Sequence, residues 1–134
     1  MVNFILIDKD KPKKPQNQIS FGRYSLYPGD TVFLSNKNEG TIVKWHDGNV
    51  EYEKKIYIPD HKILTFWDMM DELNVWQWKK YYSHPEYTIV DGDMWHLELS
   101  NVNGKTIETK GSSYYPRNFK KLIENLNYLF SSNI

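Results

Sequence analysis

Residues 91–130 constrain the fold more than any other part of this sequence. Apolar side chains occupy alternate positions early in this stretch, at Trp95, Leu97 and Leu99. Such alternation is typical of a strand with one buried face. A turn signal at Asn103-Gly104 follows, then a return strand, and then Pro116 opens a segment with helical spacing of apolar residues. The stretch therefore predicts an antiparallel hairpin followed by an amphipathic helix.

The Asn103-Gly104 signal predicts a three-residue loop. A two-residue loop would set Leu99 against Glu108 and leave Ile107 on the polar face. A three-residue loop with Gly104 left-handed in a bulge instead pairs Leu99 with Ile107 and Leu97 with Thr109. We therefore expect the bulged loop.

The other tight turn, Asp47-Gly48, predicts a simple two-residue hairpin. Its register gives the pairs Trp45–Val50, Lys44–Glu51 and Val43–Tyr52. Apolar side chains then share one face and opposite charges meet on the other. The turn chemistry and the polarity of both strands agree on this register.

Further elements complete an α+β fold, in which an antiparallel meander sheet packs against one central and one C-terminal helix. Strand-like segments cover residues 19–27, 31–35, 41–46 and 49–58. Residues 1–7 predict a first strand rather than a signal peptide, since the apolar run is short and lacks a basic start. Residues 8–18, rich in Lys and Pro, predict a solvated loop. A first helix opens at Pro59-Asp60, and its apolar stripe is Ile63, Phe66, Trp67, Met70 and Leu73. The second opens near Pro116 with the stripe Phe119, Leu122, Ile123, Leu126, Leu129 and Phe130.

Length and composition bound the class of protein. A chain of 134 residues fits a single domain, residues 1–134. Cysteine is absent, which excludes disulfides, zinc thiolates and a thiol nucleophile and is typical of a cytoplasmic protein. No stretch approaches the roughly 20 apolar residues of a membrane span. We expect a soluble protein in the cytoplasm that does not engage a membrane.

Charge is balanced overall but unevenly distributed. Residues 60–100 carry eight acidic and three basic side chains, although the whole chain has a net charge of zero. The first helix should project Asp68, Asp71 and Glu72 away from its apolar stripe, while Asp91 and Asp93 precede the Trp95 strand. Such an acidic face would attract a basic partner, although a merely solubilising surface has the same composition.

Two tryptophans could supply an apolar anchor beside these acids. Trp76 and Trp78 lie about 200° apart on an ideal helix and cannot share one buried face. Either the helix breaks near Asn74 or one of the two indoles is exposed. We predict a partner-binding site that comprises Asp68, Asp71, Glu72, Trp76, Trp78, Asp91 and Asp93.

Catalytic chemistry finds little support in the sequence. His96 and Glu98 share one strand face and could hold a hard cation or act as an acid–base pair, but alternation predicts simple exposure to solvent. Ser112-Ser113 lacks the flanking glycines of a nucleophile elbow. We therefore expect no catalytic residues, no metal and no cofactor.

Nucleic-acid binding is the main alternative function. The basic ends of the chain, which include Lys120 and Lys121, could bind RNA or single-stranded DNA. The neutral net charge and the acidic centre argue against this.

One sequence pattern supports a resemblance. It comprises Asp91-Gly92-Asp93-Met94-Trp95-His96-Leu97-Glu98-Leu99, Asn103-Gly104-Lys105, Gly111, Tyr115-Pro116 and Phe119. This pattern, in the last third of the chain, resembles small uncharacterised bacterial single-domain proteins. In size and character the chain also resembles immunity proteins that neutralise polymorphic or contact-dependent toxins, and phage-encoded inhibitors of bacterial defence.

The expected function is therefore stoichiometric inhibition through protein binding, with a nuclease-like toxin or a defence protein as the basic target. RNA or single-stranded DNA binding is the alternative, and a small enzyme that uses His96 and Glu98 is the third hypothesis.

Overall fold

One sheet organises the molecule, and both helices pack on the same face of it. The computed structural model describes residues 17–25, 30–36, 39–83 and 93–134. The predicted strand at residues 1–7, the predicted loop up to residue 16, and Asp91 lie outside the described residues. In chain order the elements are β1 (Gln18–Ser25), β2 (Asp30–Ser35), β3 (Gly40–His46), β4 (Asn49–Ile56), α1 (Asp60–Leu73), a short 3-10 turn (Val75–Gln77), β5 (Tyr81–Tyr82), β6 (Asp93–Ser100), β7 (Thr106–Ser112) and α2 (Phe119–Phe130).

The described strands form a seven-stranded sheet in the order β4-β3-β2-β1-β6-β7-β5. Strands β1 to β4 form the predicted meander, and the β6–β7 hairpin joins it through antiparallel pairing of β6 with β1. The two-residue strand β5, which the sequence pattern does not predict, pairs in parallel with the outer edge of β7. The predicted α+β fold with an antiparallel sheet and two helices is confirmed.

The core lies between the sheet and the two helices. Alternate residues of β1 and β6 supply its sheet side, where Phe21 faces Leu97 and Ile19 faces Leu99. The predicted helical stripes supply the other side, and nearly all of their members are buried. Only Ile63 and Ile123 remain partly exposed at its margin. The alternate apolar side chains of the strands and the apolar stripes of α1 and α2 therefore pack together in one layer.

An aromatic cluster fixes α2 against the sheet. The Trp95 ring lies 4.8 Å from Phe119 and stacks nearly parallel to Tyr115 at 6.4 Å. Its indole N–H donates to the backbone oxygen of Tyr114 at 2.9 Å. The segment before α2 thus fills the gap between sheet and helix, and the buried indole nitrogen has a partner.

Helix α1 begins at the predicted Pro59-Asp60 start and spans the predicted apolar stripe as far as Leu73. Pro59 precedes its first turn with extended backbone angles, and Asn74 ends it in the left-handed conformation. Asn and Gly are the residues that best tolerate that backbone, so Asn74 is a suitable stop. Of the two alternatives for the tryptophan pair, the structure shows the broken helix, and both Trp76 and Trp78 lie partly buried after the break.

The β3–β4 hairpin departs from the predicted register. From the turn outward its pairs are His46–Asn49, Trp45–Val50, Lys44–Tyr52 and Val43–Glu53, with a bulge after the second pair. The predicted Trp45–Val50 pair is correct, whereas the pairs Lys44–Glu51 and Val43–Tyr52 are wrong. Residues 49–55 of β4 are all exposed, so no buried face enforces a register there.

The loop between β6 and β7 is the predicted three-residue bulge. Leu99 faces Ile107, Leu97 faces Thr109, and Gly104 has φ of +86°. The buried side chain of Asn101 stabilises the loop from within, because its Oδ1 accepts the backbone N–H groups of residues 103 and 105, each at 3.0 Å.

Replacement of Gly104 by valine is expected to lower the free energy of unfolding by roughly 1–2 kcal/mol, because a β-branched residue is strained at positive φ. Gly104→Asn is the matched control, since Asn tolerates this backbone and nothing lies within 4 Å of a Cβ placed at Gly104. Urea denaturation measures both variants. Equal stability of the two would contradict the assigned conformation.

Candidate binding surfaces

The three acids predicted on α1 are all exposed, but they are not equivalent. Asp71 Oδ1 accepts hydrogen bonds from Trp76 Nε1 at 2.7 Å and from Lys105 Nζ at 3.0 Å. The bond from Lys105, followed by that from Trp76, lowers the pKa of Asp71 below its usual value of 3.8. Asp71 therefore holds the helix end to the β6–β7 loop, while no ion pair with another described residue involves Asp68 or Glu72.

Neither predicted tryptophan anchor stands free of the fold. The Trp76 ring lies 5.9 Å from that of Trp67, and Lys105 Nζ lies 5.9 Å from the centre of the Trp76 ring. Trp78 also packs against the edge of the core. Both indole rings therefore already make contacts within the chain, and only part of their surface is accessible to a partner.

The apolar residue that α1 does expose is Leu64, with 61% of its surface accessible. Leu64, Asp68 and Glu72 are spaced four residues apart, so they lie along one side of the helix, and Asp60 extends the row by a turn. We call these four residues the acidic stripe. Leu64 is an apolar residue outside the predicted apolar stripe of α1. That position off the buried side is the sequence signal that could have identified Leu64 as an exposed residue.

Asp93 lies within strand β6 rather than in a loop before it, and its carboxylate is engaged internally. Oδ2 accepts a hydrogen bond from Arg23 Nη2 at 3.2 Å and another from Tyr115 Oη at 3.1 Å. Burial and the bond to Asp93 raise the pKa of the Tyr115 hydroxyl. The three side chains are half-buried and connect β1, β6 and the segment before α2. Within the predicted site, then, Asp68, Asp71, Glu72 and Trp76 lie close together along the chain, while Asp93 belongs to a separate network.

The second candidate surface is the side of the sheet that faces away from the helices, which we call the open face. The registers of the strands arrange its side chains in three rows across the sheet. The apolar row contains Val50, Trp45, Thr31, Tyr24, Met94 and Ser112. The middle row contains Glu53, Val43, Phe33, Gly22, His96, Lys110 and, from β5, Tyr81. The polar row contains Lys55, Thr41, Ser35, Ser20, Glu98 and Glu108.

A shallow trough of about 420 Å³ runs across the open face above Gly22. Its walls include Phe33 and Trp45 on one side and Met94 and Tyr81 on the other. The His96 imidazole lies directly over Gly22, with its ring 6.0 Å from that of Phe33. Burial against the sheet lowers the pKa of His96 below its usual 6.5 despite the nearby carboxylates of Glu98 and Glu108.

His96 and Glu98 share the open face, as strand alternation predicts. Within the described part of the chain, no three His, Asp or Glu side chains converge as metal ligands would. The basic residues proposed for nucleic acid are only partly described, because those between residues 9 and 14 lie outside the described ranges. Lys120 and Lys121 are exposed at the start of α2. No helix in the described ranges is long and apolar enough to cross a membrane.

Loss of the Asp93 carboxylate should weaken the connection between the sheet and α2. Asp93→Ala is expected to lower the free energy of unfolding by about 1–2 kcal/mol, since two hydrogen bonds are lost and Arg23 loses its counter-ion. Tyr115→Phe, which keeps the stacked ring, should cost about 1 kcal/mol. Both changes remove the same hydrogen bond between Tyr115 and Asp93. The double variant should therefore lose less stability than the sum of the two single losses. Strict additivity in urea denaturation would show that the bond between Tyr115 and Asp93 contributes nothing.

The contact between Gly22 and His96 yields a second stability prediction. A Cβ added at Gly22 would collide with Cε1 of His96, so Gly22→Ala should cost about 1–2 kcal/mol. In a His96→Ala background the same substitution should cost little, because the imidazole is gone. A double-mutant cycle in urea measures the difference. An equal cost in both backgrounds would contradict the observed packing.

Comparisons with known proteins give no further guidance, because no protein-family model, curated protein or solved structure matches this chain.

Proposed function

We propose that this protein acts by stoichiometric binding to a basic protein, and that the acidic stripe of α1 is the contact surface. The observation that carries the proposal is the exposed Leu64 with acidic residues one turn away on either side, at Asp60 and Asp68. Glu72 continues the charge one turn further along the helix. Leu64, at 61% accessible, lies outside the core that the described residues form.

The composition of the stripe suits a protein partner better than a small molecule or a nucleic acid. Protein interfaces combine an apolar anchor at the centre with charged residues around it, and the anchor supplies most of the affinity. The surrounding carboxylates attract a basic surface and speed the encounter. The same carboxylates would repel the phosphates of a nucleic acid.

The mechanism that follows is occlusion. A row of carboxylates along a helix can present charges to Lys and Arg side chains that otherwise contact a phosphate backbone. A protein bound there would block such a site without any chemical step. We therefore propose inhibition of a nuclease-like toxin or defence protein, and no enzymatic activity of this chain's own.

Asp71 and Trp76 have a supporting role in this proposal. The hydrogen bond between them and the ion pair of Asp71 with Lys105 fix the end of α1 next to Glu72. Lys105 offsets the charge of Asp71, so we expect Asp68 and Glu72 to supply more of the attraction for a basic target.

Binding kinetics with an isolated partner test the proposal. The partner is captured from a host lysate with the wild-type chain, identified, purified and then measured against variants by surface plasmon resonance. Asp68→Asn/Glu72→Gln should slow association several-fold and flatten its salt dependence, because these charges steer the encounter. Leu64→Ala should leave association nearly unchanged and speed dissociation by about tenfold, as expected for loss of an anchor worth about 1.4 kcal/mol.

The matched control is Asp47→Asn/Glu51→Gln, which removes the same two kinds of charge from the β3–β4 hairpin. This control should bind like the wild type. If the kinetics of the partner ignored all changes on the acidic stripe, or responded equally to the hairpin control, the stripe would be a solubilising surface only.

A further inference from the structure

The open face is large enough to form a stable interface. Four of its apolar side chains are well exposed, namely Tyr24 at 38%, Met94 at 47%, Tyr81 at 50% and Val50 at 59%. Strands spaced about 4.8 Å apart, with a rise of about 3.3 Å per residue, make a sheet of this size about 29 Å wide and 23 Å long. Two such faces in contact would bury on the order of 1,300 Å², above the roughly 1,000 Å² that a specific interface requires.

The charges on the open face reverse sign across its central strand, β1. In the middle row Glu53 lies on β4, to one side of β1, and Lys110 lies on β7, to the other. In the polar row the order is opposite, with Lys55 on β4 and the acids on β6 and β7. Both rows therefore carry opposite charges on the two sides of β1. The middle row is negative on β4 and positive on β7, and the polar row is positive on β4 and negative on β7.

This reversal is the pattern that a two-fold axis along β1 requires. Rotation about such an axis turns a second copy face to face with the first, exchanges the two sides of the sheet and keeps each row in place. Glu53 of one copy is then offset sideways from Lys110 in the second copy by about one strand spacing, or 4.8 Å, and the two long side chains can meet in the gap of about 10 Å between the sheets. Lys55 likewise approaches Glu108. Every one of these contacts occurs twice and joins opposite charges.

Within one copy, these charges lack good partners among the described residues. Glu98 directly faces Glu108 across β6 and β7, and like charges in that position destabilise a sheet. Neither carboxylate forms an ion pair with a described residue. Lys55 forms an exposed ion pair with Glu39 at 3.5 Å, and Lys110 lies over the ring of Tyr81 at 5.8 Å. A second copy would place a cation beside the two acids.

Side-chain sizes in the apolar row match the same axis. Rotation sets Trp45 of β3 against Ser112 of β7, and Thr31 of β2 against Met94 of β6. In both pairs a large side chain meets a small one. Tyr24, on the central strand, meets its own counterpart near the axis.

We propose that the open face is a self-complementary interface at which two copies of this chain form a two-fold dimer. The proposal is independent of the acidic stripe, which lies on the opposite layer of the molecule and would remain accessible on both copies.

Charge exchange between Glu53 and Lys110 tests the dimer by sedimentation equilibrium. The wild-type chain should dimerise reversibly. Glu53→Lys alone and Lys110→Glu alone each create two repulsive contacts and should weaken dimerisation by about tenfold or more. The double variant Glu53→Lys/Lys110→Glu restores opposite charges and should recover dimerisation. An equimolar mixture of the two single variants should form a heterodimer, because both of its contacts then join opposite charges.

Leu64→Lys on the acidic stripe is the control and should dimerise like the wild type, and circular dichroism verifies that every variant is folded. A wild-type chain that stays monomeric at all concentrations would overturn the proposal, and so would a dimer in which the single and double variants behave alike. A dimer that the control weakens more than Glu53→Lys would assign the interface to the helices instead.

Discussion

The pairing of β1 with β6 is the contact on which the rest of this structure depends. It joins the four-stranded meander to the C-terminal hairpin, which are separated in sequence by α1 and the segment after it. Its register sets Ile19 opposite Leu99 and Phe21 opposite Leu97, and these side chains form the centre of the core. Because strand side chains alternate, a slip of β6 by one residue would move Leu97 and Leu99 to the open face and bring His96 into the core. The burial of both helices therefore rests on this one alignment.

The same alignment produces the two surfaces on which function is proposed. On one side, the apolar stripe of α1 packs in the core, and Leu64 with its flanking acids faces outward. On the other side, it aligns residues distant in sequence into rows whose charges oppose each other across β1. A protein that binds through both layers would present two acidic stripes per dimer. Such an arrangement would permit two targets, or two sites on one target, to be engaged at once.

Local patterns were sufficient to predict much of this fold. The strands of the meander, the start of α1 after Pro59 and the bulge at Gly104 all depend on neighbouring residues whose turn and capping preferences can be recognised in the sequence. The β3–β4 register was not predictable in the same way, because β4 buries almost nothing and several registers satisfy its polarity equally. A two-residue strand such as β5 likewise has no periodicity to recognise.

The candidate surfaces were less predictable because they depend on contacts between distant residues. The helical spacing of Asp68, Asp71 and Glu72 correctly predicts that all three are exposed on α1, but no local pattern identifies the partners of Asp71 and Asp93. Lys105 lies 34 residues from Asp71, and Arg23 lies 70 residues from Asp93. The rows of the open face arise only once the β1–β6 register is known. Backbone NOEs between β1 and β6 in solution test that register most directly, and they should connect Phe21 with Leu97 and Gly22 with His96. Contacts of Phe21 with His96 instead would exchange the two faces of β6 and contradict the account.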